Sequence, residues 1–244
     1  GVCLLSSCPH SYQDDNGHGT HVAGIIAAKD NDIGTVGVAP DANIYAVKVL
    51  DRYGEGNVST ILSGIEWAMK QGVDIINLSL AAPEDAPALK AAIQKAYESG
   101  ILVVAAAGNN GYANGAGDTV EYPAKYDSAI AVAAVNKENV RLPYSATGSA
   151  VEVAAPGEDV YSTVPVDLDR DGARDGYTRM SGTSMAAPFV SGVLALYKEQ
   201  YPERTNIELR QMLRDRALDL GTPGKDPWYG YGLVQAGSNQ PPDL

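Results

Sequence analysis

Three separated stretches of the chain carry residue types suited to attack on a carbonyl carbon. Ser181-Gly182-Thr183-Ser184-Met185-Ala186-Ala187-Pro188 is a run of mostly small residues that leads into an apolar segment of helical period. A hydroxyl at such a helix start lies among free backbone N–H groups, where developing negative charge is favoured. The ordinary role of a serine there is an N-cap. Asn16-Gly17-His18-Gly19-Thr20-His21-Val22-Ala23-Gly24 opens a second small-residue helix with a histidine, the side chain best suited to general-base work near neutral pH. Its plainer role is a buried, satisfied imidazole. Val103-Val104-Ala105-Ala106-Ala107-Gly108-Asn109-Asn110-Gly111 ends an apolar strand in an asparagine pair. At the carboxyl edge of a parallel sheet, such an amide can donate to an oxyanion; by itself it is a turn residue.

The elements that must hold these residues are legible as a pattern. Ile44–Val49, Val73–Leu78, Ile101–Ala106, Ile130–Val135 and Val151–Ala154 read as strands. Ser59–Gln71 and Ala86–Ser99 place apolar residues three and four apart and stop at Gly72 and Gly100, as crossover helices do. His18–Lys29 and Thr183–Tyr201, rich in Ala and Gly, read as buried helices that pack closely on their neighbours. Strands alternating with helices predict an α/β domain around a mainly parallel sheet.

The chain has 244 residues, enough for one large domain, and 45% of them are hydrophobic. With 30 acidic against 18 basic residues, its net charge of -12 argues against a nucleic-acid partner. No apolar run reaches the roughly 20 residues that span a bilayer. The sequence starts at Gly1 rather than Met and is expected to be a processed product or a fragment. Its two cysteines, Cys3 and Cys8, permit a small disulfide loop without requiring one. No thiolate zinc site is available elsewhere, and the His18/His21 pair lacks a third ligand in a zinc pattern.

Taken in the order His, Asn, Ser, the three motifs closely resemble the subtilisin (subtilase) family, from about Gln13 to Ala236. The resemblance implies a three-layer α/β fold, with the family's N-terminal strands missing or replaced here. It places an incomplete peptidase domain at residues 13–236, an unrecognised segment at 1–12 and a tail at 237–244. It also implies a serine endopeptidase, extracellular and monomeric, acting on extended peptides or proteins and associated in some members with a propeptide. In it Ser184 attacks the scissile carbonyl, His18 removes the proton, and Asn109 with the Ser184 N–H holds the oxyanion. His21 is expected to be structural. Ser79, Leu80 and Ala81 resemble the family's substrate-pairing strand and Gly54, Glu55 and Gly56 the opposing one. Ala81 and Ala82 stand where glycines are usual and narrow the cleft. Glu121 aligns with the floor of the primary specificity pocket, where a carboxylate favours Lys or Arg before the scissile bond; its plainer fate is to face solvent.

One member of the expected machinery has no counterpart. The family's aspartate ends an early apolar strand well before the histidine, and only 17 residues precede His18. If Val2-Cys3-Leu4-Leu5-Ser6-Ser7 takes that strand's place, Leu5 occupies the acid position. Asp14 and Asp15 are the nearest carboxylates, and neither is expected to replace the acid. Loss of the acid from a subtilisin costs about 3 × 10⁴ in kcat, a magnitude belonging to that enzyme. Weak activity is therefore expected, or else a peptide-binding module without catalysis.

Two loops suggest structural calcium. Lys29-Asp30-Asn31-Asp32-Ile33-Gly34-Thr35 resembles the family's calcium loop, with Asn31 and the carbonyls of Lys29, Ile33 and Thr35 as ligands; two further ligands belong to the missing segment in the family, so a weakened site is expected. Asp167, Asp169, Asp171 and Asp175 alternate around Gly172, as in the first half of an EF-hand loop, but Thr178 stands where the bidentate Glu belongs. A purely structural calcium-binding domain would leave the His, Asn and Ser motifs without a reason to coexist.

Overall fold

The computed structural model describes residues 1–5, 11–169 and 171–237. Cys8, Arg170 and residues 238–244 of the expected tail lie outside them. The centre is a parallel four-stranded sheet of β3 (Ile75–Leu78), β4 (Leu102–Ala106), β5 (Ile130–Val135) and β6 (Val151–Pro156), in that spatial order. Every residue of β4 and β5 is buried, because both faces are covered.

The two-residue period of a strand sorts those side chains into two cores. Val103, Ala105, Ala131 and Ala133 meet Ile65 and Ala68 of α2 (Val58–Gln71) and Leu89, Ile93 and Ala96 of α3 (Pro87–Glu98). Leu102, Val104, Ala106, Val132 and Ala134 face Ala187, Val190 and Leu194 of α4 (Thr183–Gln200) and Leu209 and Leu213 of α5 (Asn206–Arg216). The result is the expected three-layer α/β arrangement. α2 begins with a capping box between Asn57 and Thr60 and ends at Gly72, whose φ of 69° is the left-handed value glycine tolerates best.

The sheet lies within one or two residues of the expected strands, but the early strand is much shorter. Of Ile44–Val49, only Val47–Lys48 (β2) is strand; it pairs in parallel with β1 (Val2–Cys3). Of the Val2–Ser7 segment considered for the family's early strand, Val2–Cys3 is strand and residues 6 and 7 lie outside the described residues; Cys3 is disulfide-bonded. The Val2 N–H donates to the Ala46 carbonyl at 2.9 Å, but Ile44, Tyr45 and Ala46 are exposed.

α1 (His18–Ala27) lies against α4 and against an antiparallel hairpin, β7 (Val160–Thr163) with β8 (Tyr177–Met180), which the sequence reading did not anticipate. The approach is close. A β-carbon on Gly24 would come within 2.4 Å of Ser162 Oγ and 2.2 Å of Thr163 Oγ1, so only glycine fits. Those hydroxyls donate to the carbonyls of His21 and Thr20.

Candidate active site

Ser184 sits in the first turn of α4, half-buried, with no side chain capping the helix. Four residues on, Pro188 lies inside the helix. Proline has no N–H, so the Ser184 carbonyl loses its helical donor. Ser79 Oγ supplies the replacement, donating to that carbonyl at 2.7 Å. Ser79 belongs to a chain of donors: Ser191 Oγ donates to Asn77 Oδ1 at 2.9 Å and Asn77 Nδ2 to Ser79 Oγ at 2.9 Å. The end of β3 is thereby tied to the nucleophile's backbone. The Ser184 hydroxyl in turn donates to the Ser79 carbonyl at 3.3 Å.

Asn109 follows β4 at the carboxyl edge of the sheet. Its Oδ1 accepts from both the backbone N–H and the hydroxyl of Thr183, each at 3.0 Å. Fixing the carbonyl end of the amide leaves Nδ2 as the free end, and no described residue accepts from it. A β-carbon placed on Gly182 would lie 3.4 Å from Asn109 Nδ2 and 3.8 Å from the Ser184 backbone nitrogen. Both donors therefore border one small space that the glycine leaves open, the arrangement needed to hold an oxyanion. The loop after Asn109 is clamped by the buried Arg141, whose guanidinium donates to the carbonyls of Tyr112, Ala113, Leu142 and Ser145. The sequence reading missed Thr183, Asn77 and Arg141 as supports. The signal for Ser79 was Pro188, which predicts an orphan carbonyl at Ser184.

His18 opens α1 and is half-buried. Val22, one turn on, shares an apolar cluster with Met185, the residue after Ser184, so the two helix starts lie side by side. Burial lowers the His18 pKa from its usual value, opposed by the negative charge of Asp14. No described residue hydrogen-bonds its ring. The Asp14 carboxylate is engaged elsewhere: it accepts from the backbone N–H groups of Asn16, Gly17 and Thr20 and from the Thr20 hydroxyl. It serves as the helix cap. Asp15 pairs with Lys48 at 2.5 Å.

His21 is fully buried, and its Nε2 faces the carbonyls of Val160 at 3.0 Å and Thr178 at 3.2 Å. One N–H between two carbonyls joins α1 to the hairpin, a structural arrangement that leaves no metal pair with His18.

The substrate-strand residues fall on both sides of these groups. Ser79 contacts Ser184 as described, and no described residue pairs with the backbone N–H of Leu80 or Ala81. At Ala82 the segment turns to pair with Tyr122. Gly54, Glu55 and Gly56 end a turn closed by Asp51, and the Asn16 side chain donates to the Arg52 carbonyl, tying that turn to the His18 end. Glu121 is half-buried, and its Oε1 accepts from Asn110 Nδ2 at 2.6 Å.

The two loops with oxygen ligands differ. Residues 29–36 close where the Gly37 N–H donates to the Ala28 carbonyl, and Asn31 Oδ1 accepts from the Ile33 N–H. One amide oxygen with the carbonyls of Lys29, Ile33 and Thr35 makes an all-oxygen donor set that suits a hard cation. In the acidic turn the carboxylates serve the backbone: Asp169 accepts from the N–H groups of Asp171 and Gly176, Asp171 from Ala173, and Asp175 from Tyr177. Among the described residues no three acidic, His or Cys side chains gather as a metal group, so Asp167, Asp169, Asp171 and Asp175 do not converge as the spacing suggested.

Comparison with known proteins agrees with this geometry. The sequence pattern of the subtilase family matches residues 6–232. Subtilisin DY of Bacillus licheniformis is 49% identical over 221 residues, covering 91% of this chain and 76% of its own. The thermostable alkaline protease of Halalkalibacterium halodurans is 47% identical over 237 residues, or 97% of this chain and 61% of its own. The minor extracellular protease Epr of Bacillus subtilis is 47% identical over 225 residues, 92% of this chain but only 33% of its own. The chain thus spans between a third and three quarters of these relatives' lengths. It belongs to the subtilase family.

Proposed function

We propose that the protein is a serine endopeptidase that cleaves peptide bonds through an acyl-enzyme. Ser184 Oγ attacks the carbonyl carbon of a peptide lying along Leu80–Ala81. His18 takes the hydroxyl proton and later returns it to the leaving amine. Asn109 Nδ2 and the Ser184 N–H stabilise the oxyanion, and water then releases the acid product. The observation that carries this reading is the pinning of Asn109 by Thr183, which leaves two donors around one open space beside the hydroxyl. A fluorophosphonate probe is expected to label the protein, and Ser184→Ala to abolish both labelling and peptide hydrolysis. An unlabelled protein that retains its fold defeats the proposal.

Turnover is proposed to be weak. His18 has the charge of Asp14 nearby but, among the described residues, no carboxylate hydrogen bond to orient its ring, and such a loss weighs heavily in this chemistry. A second reading, peptide binding without cleavage, draws on a single fact: the Ser184 hydroxyl donates to Ser79 rather than to an imidazole. The labelling experiment separates the two.

The rest of the proposal concerns setting. The protein is taken to act outside the cell as a monomer, with a propeptide able to occupy the same strand edge as substrate. Calcium is proposed at residues 29–35, held by Asn31 and the Lys29, Ile33 and Thr35 carbonyls, where it would cross-link the loop that follows α1. Melting in calcium and in chelator tests this: a higher Tm in calcium that Asn31→Ala removes supports it, and equal Tm values refute it.

A further inference from the structure

We infer that Asn77 and Ser191 are positioning residues for the nucleophile, because their side chains set the direction of the hydrogen-bond relay that holds the Ser184 carbonyl through Ser79. This rests on the endopeptidase reading above and adds a control on its first step. The need for a relay arises inside α4, where Pro188 leaves the half-buried Ser184 without the donor a helix normally supplies. A carbonyl out of water and unpaired is costly, so the donor has to come from another element.

The order of donors follows from the groups available. Ser191 is buried on the face of α4 that meets the sheet, and its single hydroxyl hydrogen has two acceptors in reach: Asn77 Oδ1 at 2.9 Å and the Ala187 carbonyl at 3.4 Å. The shorter contact turns the oxygen of the Asn77 amide toward α4 and its NH₂ toward Ser79, at 2.9 Å. Ser79 Oγ therefore accepts, and its one hydrogen is left for the Ser184 carbonyl at 2.7 Å. An amide turned over would reverse the relay. Nδ2 would donate to Ser191, Ser79 would donate to Oδ1, the Ser191 hydrogen would fall back on Ala187, and the Ser184 carbonyl would be orphaned. The cost of that orphan selects the observed order.

Ser184 is thereby held on both sides. Thr183 before it is pinned to Asn109, and its own carbonyl to Ser79. The Ser184 N–H, one of the two proposed oxyanion donors, lies between those anchors. Without the relay the turn is closed by the N–H groups of Met185 and Ala186 on the Gly182 carbonyl, and the second of these is long at 3.3 Å. The relay acts on where the N–H and the hydroxyl stand as charge develops, so its loss falls on kcat rather than on substrate binding.

The test measures steady-state cleavage of one peptide, with kcat read above the range in which His18 titrates, so that a new charge does not enter through the base. Ser79→Ala is expected to lower kcat by about three- to tenfold, the scale of one hydrogen bond, with KM changed by less than about twofold. Asn77→Asp keeps the shape of the amide but can only accept; it draws the Ser79 hydrogen to itself and is expected to lower kcat in the same way. Ser191→Ala, one step further away, is expected to cost about twofold. Pro188→Ala restores a backbone donor, and the double variant Ser79→Ala/Pro188→Ala is expected to regain most of the kcat lost by Ser79→Ala. A role of Ser79 in folding alone would not allow that recovery. Unchanged kcat in Ser79→Ala and Asn77→Asp, or a loss that Pro188→Ala leaves in place, overturns the inference while the endopeptidase reading stands. If wild type is neither labelled by the fluorophosphonate nor cleaves peptides, the endopeptidase reading fails, and the nuclear magnetic resonance signal of the Ser184 carbonyl carbon decides the relay by itself. A move to lower frequency in Ser79→Ala and Asn77→Asp that Pro188→Ala reverses supports it, and a signal that stays put overturns it.

Discussion

The two halves of the active site rest on unlike supports. Asn109 and Ser184 are carried by the end of a fully buried strand and the start of a helix with eleven buried residues, and Thr183, Ser79 and Asn77 lock both in place. His18 opens a ten-residue helix with four buried positions, and the Asp15 before it pairs with Lys48 of a half-buried two-stranded pair. One half is organised by the core before substrate arrives; the other holds its imidazole by packing and by one charge through space. In the proposed reaction, oxyanion stabilisation is thus the better-prepared part of the chemistry and proton transfer the poorer.

That contrast is open to direct challenge. Asn109→Ala removes a pinned donor and is expected to lower kcat by about 10²–10³, a range set by an oxyanion asparagine in a subtilisin, with KM little changed. A drop of less than about threefold would show that the space beside Gly182 is not where charge develops. Leu194→Ala, under the sheet, is expected to cost about 2–5 kcal/mol, whereas Ile44→Thr at the exposed end of the early strand stays within about 0.5 kcal/mol. Chemical denaturation of both checks it, and equal losses would erase the difference between the regions. The smallest effect concerns pH. Burial holds the His18 pKa below its ordinary value while Asp14 pulls it up. The base form is therefore complete above the usual histidine range, and the acid limb of kcat/KM lies below it. Asp14→Asn removes the opposing charge and is expected to move that limb to lower pH. A limb that stays put would show that Asp14 does not reach the imidazole electrostatically.

The same division governs how much the sequence reveals. Ile130–Val135 is recognisable because a strand covered on both faces is apolar throughout, and its bounds agree with the structure. The Ala/Gly-rich helices that start at His18 and Thr183 are likewise legible, since close packing demands small residues. The early strand is overestimated: the β-branched Ile44 and the aromatic Tyr45 signal a strand only where a neighbour completes the ladder, and none of the described residues does so for them. α5 escapes because its core contacts reduce largely to Leu209 and Leu213 within Asn-Ile-Glu-Leu-Arg-Gln-Met-Leu-Arg-Asp-Arg, although Thr205 and Glu208 announce its start as a capping box. The hairpin is hidden by the acidic turn that splits its strands. The three site residues come from long motifs, but their supports do not, because Thr183, Asn77 and Arg141 act through contacts between distant segments.

Pro188 has a consequence for motion. With the Ser184 carbonyl anchored to Ser79, the backbone of the nucleophile is held still while its hydroxyl remains a rotor. Exchanging one acceptor for another then asks only for a turn about Cα–Cβ, a picosecond-to-nanosecond event. The helix need not shift for the oxygen to swivel toward an arriving carbonyl.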